Sequence, residues 1–138
     1  MVDIPAPYEK IPFNHGFVGQ IGPLYYYDLE GSFARAFRVE ERHVNGMGRC
    51  HGGMLMAFAD MAFGSAVSYS VKRYWVTVRL LTDFLAGAEI DDWVEGTGEI
   101  TGQDGDFYFV KGRIWVGDKT LMQGTGTFKA LGPRPETR

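Results

Sequence analysis

The sequence predicts an α+β fold in which one long buried helix is wrapped by a curved antiparallel β-sheet. Three observations predict it. Residues 53–71 are helix-compatible and apolar on every side, with Asp60 their only charge; a helix apolar all round is either buried or spans a membrane. From residue 75 the apolar period drops to two, through the segments 75–85, 93–103, 106–116 and 119–130. Inside those segments glycines share faces: Gly96 and Gly98 alternate with Val94 and Ile100, and Gly124 and Gly126 with Met122 and Phe128. Glycine ordinarily weakens a strand interior. A face without side chains therefore marks the approach of another backbone, and the long helix is the candidate.

The elements follow in order. Residues 1–23 read as an arm, rich in Pro and Gly, with one helical turn expected near residues 8–13. Strands are expected at 24–29 and 32–39, separated by a turn at Glu30-Gly31. Residues 40–50, containing Asn45-Gly46-Met47-Gly48, read as a loop. The helix at 53–71 is long enough for a membrane span. Its central Asp60 would cost about 2.5–3.5 kcal/mol there, and Ser65, Ser68 and Ser70 lower its hydropathy further, which favours the core. In 75–85 strict alternation puts Val76, Val78, Leu80 and Phe84 on one face and Thr77 on the other. Gly105 and Gly117-Asp118 mark tight turns, giving an antiparallel meander. Residues 131–138 read as a frayed tail. With no polar linker, residues 1–138 are expected to form a single domain.

Composition narrows the function classes. The net charge of −3 argues against a nucleic-acid binder. A single cysteine, Cys50, excludes an intrachain disulfide. The start, Met-Val-Asp-Ile-Pro-Ala-Pro, lacks the basic and then apolar pattern of a signal peptide, so the expected location is the cytoplasm.

The chemistry is concentrated between Asn45 and Asp60. The helical neighbours of Asp60 are Met56, Ala57, Phe63 and Gly64. A carboxylate desolvated among them holds its proton more tightly unless it is paired, as a general base working near neutrality requires. A structural acid bonded to a neighbouring strand is the alternative. The helix entry, Cys50-His51-Gly52-Gly53, has no side-chain oxygen to cap it. Free N–H groups there, aided by the helix dipole, can hold a developing oxyanion, and the glycines admit a ligand closely. A plain glycine turn is the alternative. His51 and Asp60, nine residues apart, lie roughly 13 Å apart along one helix. If both are catalytic, a two-fold dimer must supply them from different subunits.

These residues resemble the hotdog-fold acyl-CoA thioesterases, and within them the PaaI-like branch of the phenylacetate pathway. Asn45, then a Gly-containing loop, then His51-Gly52-Gly53, then an apolar helix with Asp60 nine residues after the His, reproduce that branch's pattern. The resemblance covers about residues 24–130. It implies a hotdog fold and hydrolysis of an acyl-CoA to free acid and CoA, with no cofactor beyond the coenzyme A of the substrate and no metal. The Gly52 N–H would polarise the thioester carbonyl, with His51 near the sulfur or carbonyl and Asn45 orienting carbonyl or water. Asp60 of the partner chain would activate water or attack directly, and Thr77 would hold that water. Where relatives often have a Pro after the strand, this chain reads Leu85-Ala86-Gly87-Ala88. A homodimer or a dimer of dimers is expected, with Trp75, Trp93 and Trp115 available as interface residues and neither nucleic acid nor membrane as partner.

Rival readings are a non-catalytic acyl-CoA binding module and a hotdog hydratase or dehydratase, although no His-x-Asp-x-x-x-Ala segment is present. Ser65 is not in a Gly-x-Ser-x-Gly elbow. Cys50 beside His51 is a weak nucleophile candidate, and His43, Cys50 and His51 make a poor zinc set. His15 and His43 are expected at the surface. Phe58, Phe63, Tyr69 and Tyr74 could line an acyl pocket or the core, and Lys72, Arg73, Arg79 and Arg113 are cations available to the CoA phosphates.

Overall fold

In a computed structural model describing residues 3–133, the chain runs β1 (Glu9–Lys10), α1 (Gly16–Ile21), β2 (Tyr25–Leu29), β3 (Ser32–Arg38), a 3-10 turn (Glu41–His43), α2 (Gly52–Val71), β4 (Arg73–Phe84), β5 (Trp93–Asp104), β6 (Phe107–Val116) and β7 (Lys119–Pro133). The seven strands form one antiparallel sheet in the order β1-β2-β3-β5-β6-β7-β4. The expected meander is therefore three strands long, β5 to β7. β4 pairs not with β5 but with β7, at the edge of the sheet. Residues 85–92 carry the chain away from β4 and past the helix start, where the Ala88 carbonyl accepts a hydrogen bond from the Cys50 N–H at 2.9 Å.

α2 lies on the concave face and fills it. Phe58 and Phe63 are wholly buried, with Phe37, Val94, Val110, Ile114, Met122 and Phe128 around them. Burying each such phenylalanine contributes about 1.5–3 kcal/mol. The close approach expected from the glycines is real at β5 and β6. A methyl on Gly98 would lie 3.3 Å from the Phe63 backbone, and one on Gly112 would overlap the Phe63 ring. On β7 the reason differs: a methyl on Gly124 would meet the β4 main chain at Leu81, and one on Gly126 the Phe128 ring. By length and composition α2 could cross a membrane, but most of it is buried inside this fold.

Two end regions depart from expectation. No helical turn occupies residues 8–13; β1 pairs there with Tyr25 and Tyr26, and the helix comes later as α1. Tyr8 packs on the outer side of the sheet, where Ala34 and Ala36 leave it a seat. Its ring meets Tyr27 at 4.9 Å and Trp93 at 5.4 Å, and its hydroxyl donates to Glu95 at 2.7 Å. Burial, reinforced by Glu95, pushes the Tyr8 phenol far above its ordinary range. At the other end β7 continues through Pro133, opposite Arg73, so strand replaces tail at residues 131–133. The rest of the expected tail, 134–138, lies outside the described residues.

β4 also breaks its own alternation. Thr77 pairs with Phe128 but Arg79 pairs with Thr127, which leaves Val78 as the extra residue of a bulge. Beyond it the parity flips. Thr77 therefore shares the helix-facing side with Leu80, Thr82 and Phe84, and Val76 points the other way, contrary to strict alternation.

Candidate active site

The face of α2 towards β4 is set by a four-residue repeat: Gly52, Met56, Asp60 and Gly64. β4 runs antiparallel to it and answers each position. A methyl on Gly52 would meet the Phe84 ring at 3.5 Å, Thr82 Oγ1 lies 3.2 Å from Met56 Sδ, Thr77 Oγ1 donates to Asp60 Oδ1, and the Trp75 ring covers Gly64. The bulge at Val78 turns Thr77 onto this side. Asp60 is half-buried and Thr77 exposed, so within one chain the desolvation expected of Asp60 is partial. The Thr77 hydroxyl occupies Oδ1 and leaves Oδ2 without a partner among the described residues.

The helix start is capped after all, by a nitrogen instead of an oxygen. Gly53 N–H donates to His51 Nδ1 at 2.7 Å, while Met54 and Leu55 N–H share the His51 carbonyl at 3.0 and 3.1 Å. Since Nδ1 accepts, the neutral imidazole carries its hydrogen on Nε2. Of the orphan donors of the first turn, this leaves the Gly52 N–H with no partner among the described residues. Gly52 and Asp60 sit eight residues apart on one helix, about 12 Å, too far to touch one reacting atom.

β4 is an edge strand, and its outer side exposes Val76, Val78 and Leu81, all about half accessible. Unpaired edges are templates for another strand. Trp75 and Trp93, read as core or interface residues, pack within the chain against Gly64 and in the Tyr8 cluster. Trp115 stacks under Arg113 at 4.1 Å.

The family model of the thioesterase superfamily matches residues 47–123, more than half of the chain and the whole stretch from the helix entry through β4 to β7. The chain belongs to the thioesterase superfamily. A Pseudomonas aeruginosa protein named "Putative esterase PA0474" is 27% identical over 93% of this chain and 98% of its own. Among solved structures, the Escherichia coli PaaI protein of the phenylacetic acid degradation operon aligns with a TM-score of 0.67 at 24% identity, covering 74% of each chain. A hypothetical thioesterase of Streptococcus pneumoniae, crystallised with coenzyme A, aligns with a TM-score of 0.69 at 21% identity, covering 94% of this chain and 93% of that one. These likenesses show that the fold is the hotdog fold.

In this chain the other nucleophile candidates are out of position. Burial, with the charge of Asp92 second, pushes the Cys50 thiol up to about 11, so it stays protonated at neutral pH. Ser65 is buried, donating to the Met61 carbonyl and accepting from Arg35 Nε. Asn45 organises its loop: Oδ1 accepts the N–H groups of Met47 and Arg49 at 2.9 and 3.2 Å, which leaves only its amide N–H groups for a ligand. Phe58 and Phe63 belong to the core, not to a pocket. His15 is exposed as expected, but His43 is 3% exposed. Its Nδ1 accepts the Glu40 N–H and its Nε2–H donates to the Ile21 carbonyl at 2.7 Å. Glu40 and His43, three apart at a turn, had the spacing of a capping box; that signal could have placed His43 inside. Among the described residues no group of three or more His, Cys, Asp or Glu side chains is placed to hold a metal.

Proposed function

We propose that this protein hydrolyses acyl-CoA thioesters at a site completed by two copies of the chain. The observation that carries the proposal is the division of one helix face into two halves. The Gly52 N–H has no partner among the described residues at one end, and the Asp60–Thr77 pair lies about 12 Å along. A two-fold axis perpendicular to β4 at its exposed edge, passing between the levels of Gly52 and Asp60, brings the Asp60 of each copy towards the Gly52 of the other and makes two identical sites. Burial against that second copy completes the desolvation of Asp60.

In each site the Gly52 N–H donates to the thioester carbonyl and stabilises the oxyanion as it develops. Asp60 Oδ2 takes a proton from water as the water oxygen bonds to the carbonyl carbon, while Thr77 holds the other carboxylate oxygen. The tetrahedral adduct collapses with cleavage of the C–S bond, and the proton passes to the CoA thiolate. His51 flanks the site with its Nε2–H, and Asn45 offers its amide N–H. Direct attack by the carboxylate through an anhydride uses the same atoms. The superfamily match and the coenzyme A bound to the pneumococcal relative support the substrate class. No cofactor is needed.

A panel of acyl-CoA substrates read by a thiol-detecting reagent tests the reading, with Asp60→Asn as the control. The expected result is turnover by the natural chain and a loss of 10²-fold or more, at about the level general base catalysis supplies, in a variant that still folds. Equal turnover in Asp60→Asn would refute it.

A further inference from the structure

A cavity of about 240 Å³ lies between α1 and the first turns of α2. Phe17, Ile21, Val44, Met54 and Ala57 give it an apolar wall, and His51 and Gly53, the two neighbours of Gly52, form its edge. It therefore begins beside the Gly52 N–H, the donor of the helix start that has no partner among the described residues. Its outer wall is fastened. Arg42 Nη1 donates to the Gln20 carbonyl at 3.0 Å and buried His43 to the Ile21 carbonyl, so the last turn of α1 is tied to the 3-10 turn. That turn is tied in turn to the helix entry, through the His51 N–H on the His43 carbonyl at 2.7 Å. Phe17, on α1 at the lip, is 66% exposed, a large aromatic surface that a bound apolar group would cover.

We propose that this cavity is the acyl pocket of the thioesterase site, that it holds a compact acyl group of up to about ten carbons, and that Phe17 and Ala57 set this limit. The inference rests on the acyl-CoA reading and names its substrate class. The size follows from volume: a cavity of about 150 Å³ accepts benzene, with six carbons, so one of about 240 Å³ accepts about ten. Gly53 and Ala57 are the smallest side chains on its helix wall. A larger residue at 57 shortens the pocket from inside, and a smaller one at 17 opens its lip.

The test uses two readouts on the full chain. The first is kcat/KM over straight-chain acyl-CoA substrates from acetyl to dodecanoyl. The second is calorimetric binding of S-alkyl-CoA thioethers from ethyl to dodecyl, which cannot be hydrolysed. Both should rise about fourfold per added methylene, the equivalent of about 0.8 kcal/mol, and level off near ten carbons. Ala57→Phe should remove the gain, lowering hexyl binding at least tenfold and leaving ethyl unchanged. Phe17→Ala, at an exposed position where folding is not at stake, should move the plateau to longer chains. A profile unchanged in both variants overturns the pocket while leaving the hydrolase reading intact. Thioether binding that depends on Ala57, in a protein that turns over no thioester, keeps the pocket and overturns the hydrolase reading. Neither binding nor turnover overturns both.

Discussion

His51 offers a way to separate holding the helix from doing chemistry. Its imidazole satisfies one donor of the first turn, the Gly53 N–H at 2.7 Å, while Met54 and Leu55 are served by the His51 carbonyl, which a substitution keeps. His51→Ala therefore removes one capping bond. Losing a cap costs about 0.5–2 kcal/mol. Because His51 is exposed, water can reach the freed N–H, which places the loss near the lower end, about 0.5–1 kcal/mol. For a chain of this size that lowers Tm by about 2–4 °C. His51→Asn supplies an oxygen at the same N-terminal position and should regain most of the stability, but it has no imidazole. Calorimetry on the three proteins, with turnover on one good acyl-CoA, reads both roles. Stability should return in His51→Asn while turnover stays below that of the natural chain. Equal loss of stability in His51→Ala and His51→Asn would refute the cap, and full turnover in His51→Asn would refute any role for the imidazole in the reaction.

Gly52→Ala should fold, since its methyl meets only the Phe84 ring edge at an ordinary 3.5 Å. It should still lose about 10²–10³-fold in kcat, the range for spoiling one oxyanion donor; unchanged turnover would remove Gly52 from the site. Cys50 makes stability fall in alkali. Its thiol ionises near 9.0 when free and near 11 when buried, so between those values the unfolded chain has released a proton that the folded chain still holds, and stability drops as pH rises. Urea midpoints from pH 8 to 11 should fall less steeply in Cys50→Ala, with Tyr8 and Tyr25, also pushed upward by burial, contributing slope in both; parallel curves would contradict the burial of the thiol.

What was legible in the sequence was what depends on local pattern. α2 announced itself because no polar face interrupts residues 53–71, and Asp60 stood out because it was the one exception. β5, β6 and β7 keep a period of two between glycine turns over most of their length, with breaks at Thr101 and Leu121, and Gly96 and Gly98 pointed correctly at the helix. What was not legible depends on partners distant in the chain. Nothing in residues 73–84 tells that their neighbour is β7, and the Val78 bulge, which decides that Thr77 faces Asp60, exists only in the register against residues 127 and 128. The seat of Tyr8 is made by Ala34 and Ala36, which look unremarkable in β3 until the arm folds over them. The His51 cap is not legible from residue type, because helix N-caps are ordinarily side-chain oxygens; an imidazole Nδ1 at an N-terminus caps equally when its hydrogen is on Nε2.

In the proposed mechanism Asp60 of one chain serves the helix start of another. Subunits carrying Asp60→Asn and subunits carrying Gly52→Ala, each nearly inactive alone, can be mixed and allowed to exchange. Each mixed dimer then has one site with both changes and one with neither. Random exchange should restore up to about one quarter of natural activity, because half the dimers are mixed and each has one intact site. No recovery, with subunit exchange verified by mass or fluorescence, would contradict a site shared between chains.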